Sequence, residues 1–254
     1  MIADTAFAIF EYPSDIGLKK AALISLLCVI VMSACAQKPQ RLLNLQTFDY
    51  KKYHFGFIIG FNTSDFTIRH EADFTFADSL KSLQNVPQSG FNLALLASLD
   101  MTPNLHLRFL PGLSFQDRGL DYVFLDAEGK NELFFKRTES VFLDFPLNFK
   151  FRTNRVGNFA AYALIGGKYS IDMQSQKDVD NASEDQKILK LKDQNYSLDV
   201  GGGFDFFLPF FKFGVEVKTE MGFPNMLIQE DTRFSSPIES LRTRAVIISL
   251  TFEG

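Results

Sequence analysis

Asp144, Asp199 and Glu216 are carboxylates spaced so that each falls on one face of an alternating stretch. Paired carboxylates are what general acid–base hydrolysis uses. That chemistry also needs a nucleophile, an orienting base and an oxyanion site fixed around the same point, and no spacing in the chain supplies them. His54, His70 and His106 have no ligand spacing for a metal. GGKYS (166–170) looks superficially like a phosphate loop but lacks the G-x-x-x-x-G-K-[ST] spacing, and there is no G-x-S-x-G elbow. The glycines at 201–203 lie inside an alternating stretch and read as interior room or strand bending. The expectation is a chain that is not an enzyme and binds no cofactor or metal.

The charged residues nevertheless share a pattern, and it belongs to the elements that carry them. Eight stretches alternate with a period of two, the signature of strands with one apolar face. In YHFGFIIGFN (53–62), Phe55, Phe57, Ile59 and Phe61 form one face, against His54, Gly56, Ile58, Gly60 and Asn62. SVFLDFPLNFKF (140–151) sets six apolar residues, Val141 to Phe151, against Ser140, Asp144, Pro146, Asn148 and Lys150. The others are GFNLALLASLD (90–100), LHLRFLPGLSFQ (105–116), FAAYALIGGKYSID (159–172), YSLDVGGGFDFF (196–207), FKFGVEVKTEM (211–221) and RAVIISLTF (244–252). Pro111, on the apolar face of the third, lacks an N–H and is expected at a bulge or irregularity.

Short connections (100–104, 152–158, 208–210) alternate with long polar ones, roughly 63–89, 117–138, 173–194 and 222–240. An even number of strands with short turns at one end and long loops at the other is the plan of an outer-membrane barrel, with short turns periplasmic and long loops extracellular. Strands cross hydrocarbon only when every backbone group is paired, and about 9–11 residues suffice. The aromatic ridge then meets lipid, and the small residues opposite it leave room in a narrow interior. A soluble eight-stranded barrel has the same period with its apolar face turned inward. Periodicity alone does not choose between them. The density of Phe on one face, the opposing loop lengths, the last strand reaching the C-terminus and a secretion signal favour the membrane.

That signal is Lys19-Lys20 followed by AALISLLCVIVMSACAQ, too short and too quickly polar for a membrane helix. Ala34-Cys35-Ala36 is an A-x-A site that places cleavage before Gln37, while Ser33-Ala34-Cys35 also fits lipoprotein processing at Cys35. The acidic residues Asp4, Glu11 and Asp15 ahead of it fit a start codon assigned too far upstream. Both cysteines, Cys28 and Cys35, lie in the signal, so disulfides are not expected to stabilise the chain after ordinary cleavage. The boundaries are therefore 1–36 for extension and signal, 37–52 for a periplasmic lead-in and 53–254 for the barrel domain.

Bulk composition hides this plan. Over 254 residues, 46% are hydrophobic and 22% charged, with a formal net charge of -4. The mean hydropathy is 0.00, because the two faces of each strand cancel. Phe 29 with Trp 0 favours strands, and no basic stripe or paired RNA-binding aromatic motif points to nucleic acid.

On this plan Arg108, Asp144, Lys150, Lys168, Asp199, Asp205, Lys212, Glu216, Lys218 and Glu220 all point into the lumen. An eight-stranded interior is just wide enough for side chains to fill. The mixture of signs suits a neutral ion-pair plug, with a narrow conductance pathway as the second reading. In the long loops, Tyr122, Phe124, Phe134 and Phe135, and Phe223, Met226, Leu227 and Ile228, are candidates for partner contact, strand extension or an interfacial girdle.

Four blocks in order, KKYHFGFIIGFNTSDF (51–66), ESVFLDFPLNFKFRTNR (139–155), YALIGGKYSID (162–172) and DVGGGFDFFLPFFKFGVEVK (199–218), resemble the PorT family of Bacteroidetes outer-membrane proteins. None is a catalytic signature. The resemblance implies an all-β, transmembrane, antiparallel up-and-down barrel of about eight strands. It further implies an accessory, non-enzymatic role in type IX protein secretion and, in gliding species, motility. The partners would be outer-membrane lipid and components of that secretion machinery. A small independent barrel acting as a channel, adhesion protein or envelope stabiliser is the alternative.

Overall fold

The computed structural model describes residues 43–71, 80–126, 128–174, 189–230 and 232–254. The signal, its cleavage site and the acidic prelude lie outside the described residues. Residues 43–254 form one unit. Among the described residues a 3-10 turn, Phe48–Tyr50, leads into nine strands. They are β1 (Tyr53–His70), β2 (Leu80–Asp100), β3 (Leu105–Phe109), β4 (Gly112–Leu125), β5 (Asn131–Arg152), β6 (Phe159–Asp172), β7 (Gln194–Phe207), β8 (Lys212–Gly222) and β9 (Ile238–Glu253). Every pairing is antiparallel.

The described residues thus form an all-β, nine-stranded antiparallel sheet resembling an outer-membrane barrel. The ladder leaves β1 through β9 and runs by β8, β7, β6 and β5 to β3 and β4, then to β2. β2 pairs with β1 over Tyr53↔Leu99 to Ser64↔Gln88.

Nine strands appear where eight stretches alternate because β3 and β4 share both neighbours, β2 and β5, and divide one stretch. The division falls at Leu110 and Pro111. The Leu95 N–H donates to the Pro111 carbonyl at 2.9 Å, and the Leu110 N–H donates to the Pro146 carbonyl at 3.1 Å. The reciprocal bonds would need N–H groups that Pro111 and Pro146 do not have. No bulge accompanies this loss. The register continues from Phe109↔Leu147 to Gly112↔Asp144 against β5, and from Ala97↔Phe109 to Ala94↔Gly112 against β2. The irregularity expected at Pro111 is therefore a gap in hydrogen bonding. A register shift occurs elsewhere, between Pro87 and Phe91 of β2.

The outward face between the two ends is an apolar band. Phe57 stacks on Phe252 with centroids 4.8 Å apart, and Phe91 on Phe115 at 4.3 Å, each pair directly opposite across its ladder. In water such a ridge would forgo roughly 1.5–3 kcal/mol per large side chain.

The loops expected over 63–89 and 117–138 are largely strand. β1 continues to His70, β2 begins at Leu80, β4 reaches Leu125 and β5 starts at Asn131. The physical reason is a change of phase. Toward the long-loop end the inward side chains become apolar (Phe66, Leu83, Leu120, Tyr122, Phe124, Ile238, Leu241) and form one core cluster with Leu189, Leu191, Met226, Leu227 and Phe234. The outward positions there include Gln84, Asp117, Asp121, Arg137 and Glu139. One strand thus carries apolar-out alternation over half its length and apolar-in alternation over the rest. Leu80 to Leu83, in a region whose sequence left a short helix open, belong to β2.

Candidate functional site: a charged interior with a stopper at each end

Strand parity places the interior residues. From β1 to β9, alternate side chains turn inward, and in the apolar-banded half most of these are polar or small, with Ile58, Leu96, Phe142, Leu164 and Ile247 as large apolar members among them. All ten charges assigned to the lumen from sequence are buried there: Arg108, Asp144, Lys150, Lys168, Asp199, Asp205, Lys212, Glu216, Lys218 and Glu220.

They are joined in pairs. Nearest the short turns, Lys212 meets Glu253 at 2.7 Å and Lys150 meets Asp205 at 2.8 Å. Arg108 meets Glu216 at 2.7 Å, and Lys218 meets Asp199 at 2.9 Å. Lys168 holds two carboxylates, Glu220 at 2.5 Å and Asp144 at 3.3 Å. Hydroxyls complete the network: Tyr162 donates to Glu216 at 3.0 Å and Ser170 to Asp144 at 2.6 Å. The Lys150 ammonium lies 3.7 Å from the centre of the Tyr162 ring.

Four members escaped the sequence reading: Glu253, Arg118, Arg152 and Asp172. Glu253 lies one inward step past Thr251, just beyond where the last alternating stretch was ended. Arg118 lies one inward step past Gln116. With them, the buried inward charges among the described residues are seven cations (Arg108, Arg118, Lys150, Arg152, Lys168, Lys212, Lys218) and seven carboxylates (Asp144, Asp172, Asp199, Asp205, Glu216, Glu220, Glu253). The signs balance, which is what burial of charge requires. Arg118 is the odd one out. It donates to the Gln116 side-chain carbonyl and stands 5.4 Å from the Phe66 ring and 5.3 Å from the Phe142 ring. Extending the alternation by one inward step finds Glu253, Arg118 and Arg152, and Asp172 is the last residue of the stretch 159–172.

Little space remains among these groups. A cavity of about 40 Å³ lies beside Ala94, Gly112, Asp144, Lys168, Glu216 and Lys218, room for a small number of water molecules.

The short-turn mouth is stoppered by the lead-in. Phe48 is buried against Ala160 and Phe207, stacks on His54 with ring centres 3.7 Å apart, and lies 4.6 Å from the Lys212 ammonium. Asp49 beside it accepts from Arg152 at 2.9 Å and Arg155 at 3.1 Å, and the Asn44 N–H donates to the Asn158 side chain at 2.8 Å. Under this stopper the Asp100 carboxylate bridges His106 at 2.5 Å and His54 at 3.2 Å. Among the described residues, no group of three or more His, Cys, Asp or Glu side chains is arranged to hold a metal ion.

The long-loop mouth is filled by the apolar cluster. Phe234, from the loop before β9, packs edge-on against Tyr122, Phe124 and Phe134, and its carbonyl accepts from the Tyr122 hydroxyl at 3.0 Å. Of the eight loop residues singled out for partner contact, Tyr122, Phe124, Met226 and Leu227 are buried inside this cluster and present no surface. Phe134 and Ile228 are partly buried, while Phe135 and Phe223 are exposed.

The comparisons with known proteins agree with a barrel in kind. A family model described as an outer membrane protein beta-barrel domain matches residues 35–227. No curated protein matches the sequence. Among solved structures, the chain is similar at 12% identity to Ail, the attachment invasion locus protein of Yersinia pestis, with a TM-score of 0.37 and coverage of 80% of this chain and 100% of that one. It is similar at 13% identity to the outer membrane protein OprG of Pseudomonas aeruginosa, with a TM-score of 0.40 and coverage of 80% and 94%. Its identity to the N-terminal beta-barrel domain of Pseudomonas aeruginosa OprF is 9%, with a TM-score of 0.31 and coverage of 77% and 96%.

Proposed function

This chain belongs to the outer membrane protein beta-barrel domain family, and from that premise we propose that it is a closed, non-enzymatic transmembrane barrel serving as a membrane-embedded scaffold. Its long loops are extracellular and its short turns periplasmic. The observation that carries the reading is the filled interior. Phe48 occupies one mouth, buried charges of both signs occupy the middle, and the cluster around Phe234 occupies the other. A barrel built this way holds position in lipid and presents surfaces, and it opposes passage of solutes.

Reconstitution of the purified protein into planar bilayers tests it. No stepwise conductance is expected at physiological salt. Resolved single-channel steps would replace the scaffold with a narrow channel.

The resemblance of the four sequence blocks to the PorT family supports a finer assignment, an accessory component of type IX secretion. Its measurement is the fate of signal-bearing cargo in a strain lacking the gene, with and without a plasmid copy. Unprocessed cargo in the periplasm that the plasmid copy clears would support the assignment. Normal export would leave an independent envelope scaffold.

A further inference from the structure

Two cross-strand rows of outward side chains run side by side over the wall made by β1, β2, β4 and β5. Phe57, Leu95 and Pro111 form one row, and Ile59, Leu93, Leu113 and Leu143 form the next. Between them the surface falls to the backbone of Ile58, Ala94 and Gly112, positions that face inward. The groove so formed has a volume of about 470 Å³, and every residue that lines it is apolar.

One residue makes the surface low here. The neighbouring outward positions of β3 and β4 carry Phe109, Leu113 and Phe115, whereas position 111 carries a proline ring, which projects little. Two residues nearer the long loops the wall is closed again by Phe91 stacked on Phe115. Each strand beneath the groove is paired on both sides by described strands, β1 with β9 and β2, β2 with β4, and β5 with β4 and β6. No strand edge is open along it.

Dimensions and setting name the occupant. Rows two residues apart along a strand are separated by about 6.6 Å between backbones, and the side chains on both banks narrow that gap. A helix with its side chains is about 10–12 Å across and rides over it, while an added strand needs an open edge. A hydrocarbon chain is slim enough to lie in the gap. The groove is also continuous with the apolar band that meets lipid, since Phe57 and Leu113 belong to both.

We propose that this groove seats one acyl chain of a bilayer phospholipid as an ordered, saturable site, distinct from the exchanging lipid along the rest of the wall. The driving force is not transfer from water, because lipid tails are as apolar as leucine. It is close packing: a void beside Pro111 leaves its lining without contacts on one side, and a chain lying along the floor restores them. The proposal rests on the placement of the apolar band in lipid and not on the closed interior.

The chain contains Trp 0, so a single introduced tryptophan reports alone. Phe57→Trp places it on the groove, and Phe204→Trp places it on the outward face of β7, outside the groove. Each variant, held in dodecyl maltoside micelles, is titrated with a phosphatidylcholine brominated on its acyl chains, which quenches indole fluorescence on contact. Phe57→Trp should be quenched along a saturating curve that ends near a single lipid per chain. Phe204→Trp should be quenched only in proportion to the lipid's share of the micelle. Pro111→Leu raises the groove floor and supplies an N–H, and beside Phe57→Trp it should raise the half-saturating lipid concentration by about tenfold or more, the change that 1.4 kcal/mol produces. Leu143→Phe narrows the groove from β5 with the proline in place and should act in the same direction. Proportional quenching at both positions, saturation at both, or saturation that neither filling variant weakens would overturn the proposal. A missing saturating phase in a chain that sediments as a dimer would overturn it in favour of a second copy over the groove. Silence in planar bilayers is untouched by any of these outcomes, so the scaffold reading fails or stands separately.

Discussion

Tyr162 of β6 lies directly opposite Gly203 of β7, and the absent side chain at Gly203 is what admits the Tyr162 phenol to its 3.0 Å bond with Glu216. A Cβ at Gly203 would sit 2.3 Å from the Val215 carbonyl oxygen and 2.6 Å from the Tyr162 hydroxyl. Gly167, one strand position on the other face of β6, has nothing within 4 Å of the same imagined atom. Gly203→Ala should therefore destabilise the barrel by about 1–3 kcal/mol, the cost of overpacking, while Gly167→Ala leaves it nearly unchanged. Urea midpoints of the two variants in one detergent decide it, and equal midpoints would contradict the packing argument.

The Arg108–Glu216 pair separates two kinds of energetic role. Glu216→Ala leaves the guanidinium of Arg108 buried with its closest counter-charge gone, and a loss of about 3–5 kcal/mol is expected. The double change Arg108→Met with Glu216→Leu removes both charges and should recover most of that loss. Refolding yields and denaturant midpoints of the single and double variants give the comparison. A double variant worse than the single one would show the network to be stabilising in itself.

Pro111 and Pro146 leave the carbonyls of Leu95 and Leu110 without their ladder donors. Pro111→Ala supplies one donor at a site whose register is already continuous. The new amide at position 111 should exchange slowly, with the protection typical of its neighbours in β4, and net stability should move by less than about 1 kcal/mol because the hydrogen bond gained offsets the chain entropy lost. Rapid exchange there would mean that the strands are held apart at this height by more than the missing donors.

Tyr122 lies in the extracellular cluster, outside the bilayer, where burial pushes its hydroxyl above the ordinary tyrosine value of 10.0. The folded cluster holds the protonated form, so its contribution is complete below 10.0 and declines as pH rises past that value. Protease nicking of the extracellular loops should increase above that pH. In Tyr122→Phe the alkaline step should shrink, at a cost of about 1 kcal/mol at neutral pH for the lost bond to the Phe234 carbonyl. An unchanged alkaline step in the variant would assign it to another group.

How much of this was legible in the sequence depended on which solvent each strand segment meets. Where Phe149 and Phe151 face outward and Asn148 and Lys150 inward, one rule governs the stretch, and the faces and buried charges follow from it. Toward the long-loop end the rule reverses. Leu120, Tyr122 and Phe124 turn inward while Asp121 turns outward, so the same strand seemed to end where its alternation changed phase. Tyr122 and Phe124 then read as loop residues open to a partner, and Arg118, at the reversal, went unassigned. The stopper at Phe48 gave no periodic signal, since one 3-10 turn makes none. Its place depends on contacts with Phe207 and His54, which alternation does not encode.

The seam between β1 and β9 pairs Gly56 with Glu253 and His70 with Ile238, residues from nearly opposite ends of the chain. Contacts of such sequence separation carry a large loop-closure entropy and form late. Each hairpin from β2 onward can pair as soon as its own two strands exist, but β1 acquires its second neighbour only when β9 arrives. Until then Phe57 lacks Phe252 as its stacking partner, and an unpaired, apolar-faced sheet edge is prone to aggregate in water. The interval before β1 and β9 meet is therefore the one in which the apolar face most needs to be kept from water, and it lasts until the final strand is in place.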